Sequence, residues 1–368
     1  MKILFIVPIY LKNLNEVKRL QFQGGGGRYP FELAKNLASL KKDDVEMIFF
    51  GKKKKSIFFA GMKISVLPAI KISPRFNGAA NPLTISLDFF KKIKQADVIH
   101  SIQIRTEASL LATIFARFIG KPIFLTDNNF NGLTMARIIR PEYFASAVLA
   151  ISEEDYDSWN VRNKKIIYGG VDIKKFSYQK KKKNYVLYAG RIASHKGVDV
   201  LVNAMPRDYK LIIAGATLEK HFLKYLKKIS KGKNIDYVTN PSDTKLIRLY
   251  KEAVCFVLPA TAKDYMGKIW GRPGLYALVV PEAMSCGTPV IVSNVGALPY
   301  FIEDNKNGFV FEDRNVIDLS NKLNKIIKNE KLIEKMGVSG RKLAESKYSW
   351  QTIAVNVRKI YYATEQNK

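Results

Sequence analysis

The chain has only two cysteines, Cys255 and Cys286, each inside an apolar or small-residue stretch. Without close pairing they form neither a metal site nor a secreted disulfide framework, and a reducing, cytoplasmic setting fits. No apolar segment reaches the roughly 18 residues needed to cross a bilayer, so a soluble or peripheral protein is expected. The opening MKILFIVPIY lacks a small-residue cleavage pattern and is punctuated by Pro8. It reads as a first β-strand rather than a signal peptide. No period of roughly 20–50 residues repeats, which excludes a solenoid.

Acid is scarce as well: 32 Asp plus Glu face 61 Lys plus Arg, a net charge of +29. Such an excess attracts polyanions without saying which. Residues 1–183 hold 32 basic and 15 acidic side chains, and the remainder 29 and 17. Within residues 51–100 the ratio is ten to two, so the first half is the expected carrier of a basic face. Lysine runs at 52–55 and 180–183 have no recognition-helix, zinc or RNA-binding signature beside them, and no interleaved aromatics. A nucleic-acid partner is therefore not expected.

At 368 residues, 47% of them apolar, the chain is long enough for two domains with a core each. Strand-length apolar runs alternate with amphipathic stretches: KILFIVPIY, a helix over 30–40, VEMIFF, residues 97–100, a helix over 109–119, PIFLT and AVLAIS. That is the rhythm of a parallel, doubly wound sheet. It pauses at Lys180 to Asn184, read as an exposed linker. It restarts with YVLYAG, YKLIIAG, IDYVT, VCFVLPA and TPVIVSN, with helices between. The expectation is α/β, with one Rossmann-like domain over residues 1–179 and a second over 184–347. A last helix over 348–366 carries Trp350, Tyr361 and Tyr362 and is expected to pack back on the first domain.

Three segments carry candidate chemistry. In QGGGGRYPFELAKNL, Gly24 to Gly27 precede a helix expected from Tyr29, and Gly26 and Gly27 let a phosphate or sugar approach the backbone. In YAGRIASHKGVDVLVNAM, Arg191 and Lys196 bracket a short loop that opens a helix. Two fixed cations there suit a departing diphosphate, where charge accumulates as a sugar bond breaks. In LYALVVPEAMSCGTPVIVSNVGALP, Glu282 stands on a helix as an acceptor for two ribose hydroxyls. The amides of Ala277, Leu278 and Val279 are placed to meet phosphates. His100 ends the strand ADVIH at the carboxyl edge of the first sheet, where open α/β folds bind ligands. It is a candidate acceptor residue, or equally a structural histidine at a strand end.

The Arg191/Lys196 loop, the PEAMSCGTPVIVSNVGALP block, the NGFVFE run, and ISEEDYDSW leading to YGGVDIKKF together resemble family 4 glycosyltransferases of the GT-B fold. The resemblance runs in order along nearly the whole chain. It implies two Rossmann-like domains facing a central cleft, and a nucleotide-sugar donor in the second, its diphosphate on Arg191 and Lys196 and its ribose on Glu282. It also implies retention of anomeric configuration and transfer without a metal or other cofactor. The acceptor is expected to be a glycan, lipid-linked or membrane-proximal. An anionic membrane surface at the inner face is a candidate partner, prompted by the basic bias of residues 51–100 and by Ile57, Phe58, Phe59 and Phe76. The sequence departs from the family at three places. Gly274 stands where the family has a second carboxylate eight positions before Glu282, with Asp264 as a candidate replacement near the donor sugar. Asn128, or Asp127 beside it, stands where the family has a histidine. The family's Pro-Asn-Gly-Val-Asp is here Tyr168 to Asp172. An altered, non-transferring sugar-nucleotide binder is the rival expectation that Gly274 raises.

Overall fold

The computed structural model describes residues 1–12, 16–17, 25–71, 82–83, 86–127, 134–271 and 277–365. The chain divides into two compact units, Met1–Tyr168 with Trp350–Lys368, and Gly169–Ser349.

The strands of the first unit are β1 (Lys2–Tyr10), β2 (Asp44–Gly51), β3 (Lys55–Phe59), β4 (Met62–Pro68), β5 (Ile70–Lys71), β6 (Pro82–Leu83), β7 (Val98–Ile102), β8 (Ile123–Thr126), β9 (Ala147–Ala150) and β10 (Lys164–Ile166). Its helices include α1 (Gly25–Ser39), α2 (Leu87–Gln95), α3 (Glu107–Phe118), α4 (Met135–Ile139) and α5 (Glu153–Ser158). The main sheet runs β10-β9-β8-β7-β1-β2-β4-β3, with β5 and β6 paired apart. Every pairing in the main sheet is parallel except β3 with β4. Strands buried on both faces read as continuous apolar runs, as β1 and β2 do. Pro8 has no N–H to give the ladder, and the β1–β2 register shifts between Ile6 and Tyr10. Helix α1 starts at Gly25 rather than near Tyr29, so Gly25 to Gly27 form its first turn.

The hairpin of β3 and β4 was not legible in the sequence. Its two-residue turn is Ala60-Gly61, with φ of 54° and 78°, the left-handed pair that a tight hairpin demands. An Asn-Gly signal is missing, and alanine there hides the turn. Lys52 to Lys54 lead exposed into the edge strand β3, which itself exposes Lys55 and Phe58, while Phe59 packs on Phe31 at 5.9 Å between ring centroids. Lysines on an edge strand blunt edge-to-edge pairing. Phe76 lies outside the described residues. No helix among the described residues is long and apolar enough to cross a membrane.

The closing helix, Trp350–Glu365, belongs to the first unit. Arg358 Nε and the Tyr362 hydroxyl both donate to Asp43, at 2.6 and 3.1 Å. Trp350 meets Tyr29, and Tyr361 lies against Phe124. Tyr361 also reaches His100 in the sheet, its hydroxyl 2.7 Å from Nδ1. The other ring nitrogen, Nε2, is 2.8 Å from Thr126 Oγ1, whose one proton goes to the Leu149 carbonyl. Nε2 must therefore carry the imidazole proton, and Nδ1 accepts from Tyr361. The reading of His100 as an acceptor-binding residue is corrected: the ring is fully buried, and both nitrogens are engaged within the core.

The second unit holds β11 (Lys183–Ala189), β12 (Lys210–Gly215), β13 (Ile235–Thr239), β14 (Ala253–Leu258), β15 (Val290–Ser293) and β16 (Gly308–Phe311). Its helices include α6 (Val198–Ala204), α7 (Lys220–Ile229), α8 (Asp243–Glu252), α9 (Val279–Ser285), α10 (Val316–Ile327) and α11 (Glu330–Ser346). The sheet order is β13-β12-β11-β14-β15-β16, all parallel. The linker expected at Lys180 to Asn184 is corrected, because β11 begins inside it. Half-buried Lys182 donates to the carbonyls of Lys251 and Cys286 and to Thr288 Oγ1. Burial pushes its ammonium down to about 8.

Burial likewise pushes His100 from 6.5 down to about 3. The folded state keeps it neutral, while the unfolded chain binds a proton below about pH 6.5. Its contribution is therefore complete above about pH 6.5 and shrinks as pH falls toward 3. His100→Gln should remove about 1.4 kcal/mol per pH unit from the slope of stability between about pH 6 and 4. Urea unfolding at stepped pH values measures it, and an unchanged slope contradicts the assignment.

Candidate active site at the carboxyl edge of the second sheet

In a parallel sheet every loop that leaves a strand emerges at the same edge. In the second unit β11 neighbours both β12 and β14, so the chain reverses its direction of sheet growth between β11 and β14. Open α/β sheets bind ligands outside such a switch point. The two segments leaving these strands, residues 190–197 and 259–278, are joined there by the Thr261 N–H donating to the His195 carbonyl at 3.1 Å.

The first segment is built for a tight turn. Tyr188 donates its hydroxyl to the Arg191 carbonyl at 2.7 Å. The Ser194 N–H donates to Glu219 at 3.1 Å. Gly197, at φ 61°, ends the short 3-10 turn Ser194–Lys196 and starts α6. A Cβ there would lie 1.9 Å from the Pro259 carbonyl oxygen. Only glycine meets both demands.

This turn brings Arg191, His195 and Lys196 together. Arg191 is exposed, and Lys196 and His195 are half-buried. Burial, and then the Arg191 charge, pushes Lys196 down to about 8. Burial, and then Lys196 and Arg191, pushes His195 down to about 3. The result is a cationic pocket whose imidazole stays neutral. Bringing positive charges this close costs energy that an arriving anion recovers.

The second segment is held by Asp264, which is buried. Its Oδ1 accepts from the N–H groups of Met266 and Lys268, at 2.9 and 3.1 Å, and its Oδ2 from Trp270 Nε1 at 3.0 Å. Burial alone would raise this carboxyl, but the Trp270 bond and the two backbone bonds hold it below the usual range. Asp264 thus staples its own loop and also bonds Ser194 of the first turn. The loop carries Trp270 onto His195, ring centroids 4.6 Å apart, and places Lys268 over the indole at 4.2 Å. Asp199 and Arg314 pair at 3.0 Å, and Arg314 also donates to the Lys263 carbonyl. His195, Trp270 and Glu219 were missed in the sequence. His195 stands between Arg191 and Lys196 there, but its ring gains a role only when Trp270 is brought against it.

Glu282 sits buried in α9. The helix is clamped from below by α11, where Arg341 donates to the carbonyls of Phe176 and Ser285. Gly337 allows this, since a Cβ there would stand 2.3 Å from the Gly287 carbonyl oxygen. Ala277 and Leu278 are buried just before α9, and Val279 opens it. Leu278 packs against Gly169, leaving no room for a Cβ at that glycine. Gly274 lies outside the described residues. Among the described residues no group of three or more His, Cys, Asp or Glu is arranged to hold a metal ion.

In the first unit the switch point falls between β7 and β1. Asp127 follows β8 and is buried, and Asn128 lies outside the described residues. Gln103, at φ 66°, ends β7 beside it and is also buried. A left-handed non-glycine residue at this edge is a candidate that periodicity could not reveal. Gly26 and Gly27 lie in the first turn of α1.

Residues 171–343 match the family described as glycosyl transferases group 1. An uncharacterised glycosyltransferase of Methanocaldococcus jannaschii is 27% identical over 253 residues, covering 65% of this chain and 68% of that one. The chain spans less than half the length of two other curated relatives, 48% and 44%. Sucrose-phosphate synthase of Thermosynechococcus elongatus superposes with a TM-score of 0.71 at 16% identity, over 100% of both chains. Anabaena HepE in complex with UDP superposes with a TM-score of 0.71 at 18% identity, over 99% of this chain and 100% of that one. Both likenesses are of fold: two Rossmann-like parallel-sheet domains, the GT-B arrangement.

Gly197→Ala should destabilise the second unit by more than about 2 kcal/mol. Chemical denaturation followed by tryptophan fluorescence reads it through Trp270, and a wild-type midpoint would refute the packing argument.

Proposed function

We propose, from the premise that residues 171–343 are a glycosyl transferases group 1 domain, that this protein transfers a sugar from a nucleoside-diphosphate donor to a glycan acceptor. The observation that carries the reading is the paired cation turn of Arg191 and Lys196 at the switch point of the second sheet. Its charge at the edge where open α/β sheets bind ligands supports a diphosphate there.

In this reading Arg191 and Lys196 bind the two phosphates and stabilise the charge that collects on them as the bond between the sugar's anomeric carbon and the phosphate oxygen breaks. The acceptor hydroxyl forms the new bond to that carbon, and its proton passes to the departing diphosphate. Retention follows if attack and departure share one face of the sugar, and the two cations do the work that a metal does in other transferases. Glu282 accepts both ribose hydroxyls, and the amides of Ala277, Leu278 and Val279 approach the phosphates. Neutral His195, carried against Trp270, supplies a hydrogen-bonding group that adds no further charge. Gly26 and Gly27 let a donor phosphate or sugar approach the backbone, Asn128 is the further catalytic candidate and Asp127 a substrate-binding one, and the acceptor is a lipid-linked or membrane-proximal glycan. UDP is the first nucleotide to test, since HepE of matching fold was solved with it. Gly274 supports the second reading, a binder without transfer: labelled nucleotide sugars bound but neither hydrolysed nor transferred to any acceptor would favour it.

Arg191→Ala and Glu282→Gln should each weaken UDP binding by about 1.5–3 kcal/mol without lowering the melting temperature of the free protein. Calorimetric affinities equal to wild type would refute the donor site.

Lys196 is charged below about pH 8 and neutral above it. Diphosphate affinity should therefore fall as pH rises through about 8 to 9.5, with proton uptake on binding. Lys196→Arg should flatten this dependence, because guanidinium stays charged. A wild-type affinity independent of pH across that range would remove Lys196 from the site.

A further inference from the structure

At the opposite, amino edge of the first sheet lies a cavity of about 870 Å³. Its walls come from the segments that enter β8, β9 and β10 and from the last turns of the closing helix. Four cations from four separate places line it: Arg117 in the last turn of α3, Lys121 before β8, Lys165 in β10 and Lys359 in the closing helix. No acidic residue lines it. No ion pair or side-chain hydrogen bond of these four occurs among the described residues. Between them Pro122, Phe144, Ala147 and Ile360 give apolar surface beside the polar Ser146, Asn163 and Thr364. Phe144 is itself 49% exposed.

A surplus of lysine explains solvated cations spread over a surface. It does not by itself set four, from four separate places, around one concavity that no acidic residue lines. The volume is that of a small-molecule site, and the lining asks for a ligand with a multiply charged anionic end and an apolar end. We propose that this cavity binds a phosphate-bearing anion with an apolar portion, at a site separate from the donor site. The four cations hold the phosphate through charge-assisted hydrogen bonds, and Phe144 and Ile360 cover the apolar portion. The proposal does not depend on sugar transfer, because none of its residues belongs to the second unit.

The chemistry is shared by a free organic phosphate and by the headgroup and upper acyl chain of an anionic lipid, so the test has two arms. Hydrogen exchange of the full-length protein is followed with hexyl phosphate in solution, and separately with vesicles of phosphatidylglycerol or of phosphatidylcholine. Peptides covering residues 117–122, 144–147, 163–165 and 359–364 should gain protection with hexyl phosphate if the ligand is free, or with phosphatidylglycerol vesicles alone if it is a lipid. Phosphatidylcholine should protect nothing. Lys165→Glu/Lys359→Glu, both at exposed positions, should weaken the effect about tenfold or more while UDP binding stays at its wild-type strength. The proposal is overturned if neither probe protects these peptides, if phosphatidylcholine protects them equally, or if the double variant responds as wild type does. Loss of UDP binding bears on the donor site only.

Discussion

The contact on which the second unit's chemistry depends is the meeting of two loops at the switch point between β11 and β14. The Thr261 N–H bonds the His195 carbonyl, and Gly197 lets the turn close against Pro259. A parallel sheet alone delivers many loops to one edge without ordering them. This closure converts two of them into a rigid turn that presents Arg191 and Lys196 together. Asp264 has a supporting part in the same closure, tying down the loop that carries Trp270 over His195. Charge repulsion inside the turn is the consequence, and on the proposed reading an anion relieves it.

The first unit depends on a different contact. Its closing helix arrives from the far end of the sequence and inserts Tyr361 into the sheet, where His100 accepts the hydroxyl. Arg358 and Tyr362 add two bonds to Asp43. An imidazole with both nitrogens engaged in a dry core is a structural device, and its depressed basicity follows from burial. The same helix walls the cation-lined cavity at the amino edge. One element thus completes a core and shapes a surface far from the carboxyl edge, where ligands bind in open α/β sheets.

Several features were plain in the residues. Apolar runs such as KILFIVPIY and VCFVLPA could only be strands of buried parallel sheets, because both faces are covered and no alternation is needed. The cation turn, the helix bearing Glu282 and the strand that follows it were legible because glycine and proline punctuate them. The β3–β4 hairpin was not, because its turn places alanine in a left-handed conformation that alanine rarely signals. The charged stretch at residues 180–184 misled for a similar reason. Lys182 looks like a solvated charge until two helix ends present carbonyls to it.

By itself the sequence determined the α/β rhythm, its division into two halves and the placing of Arg191, Lys196 and Glu282 on loops and helices after strands. These follow from periodicity and turn chemistry, which act over a few residues. Only the tertiary structure decided that His100 is core, that Asp264 ties its own loop and reaches Ser194, that His195 joins the cation turn, and that four scattered cations share one cavity. Each of these rests on contacts between residues far apart in the chain, and burial and charge take their values only once such partners meet.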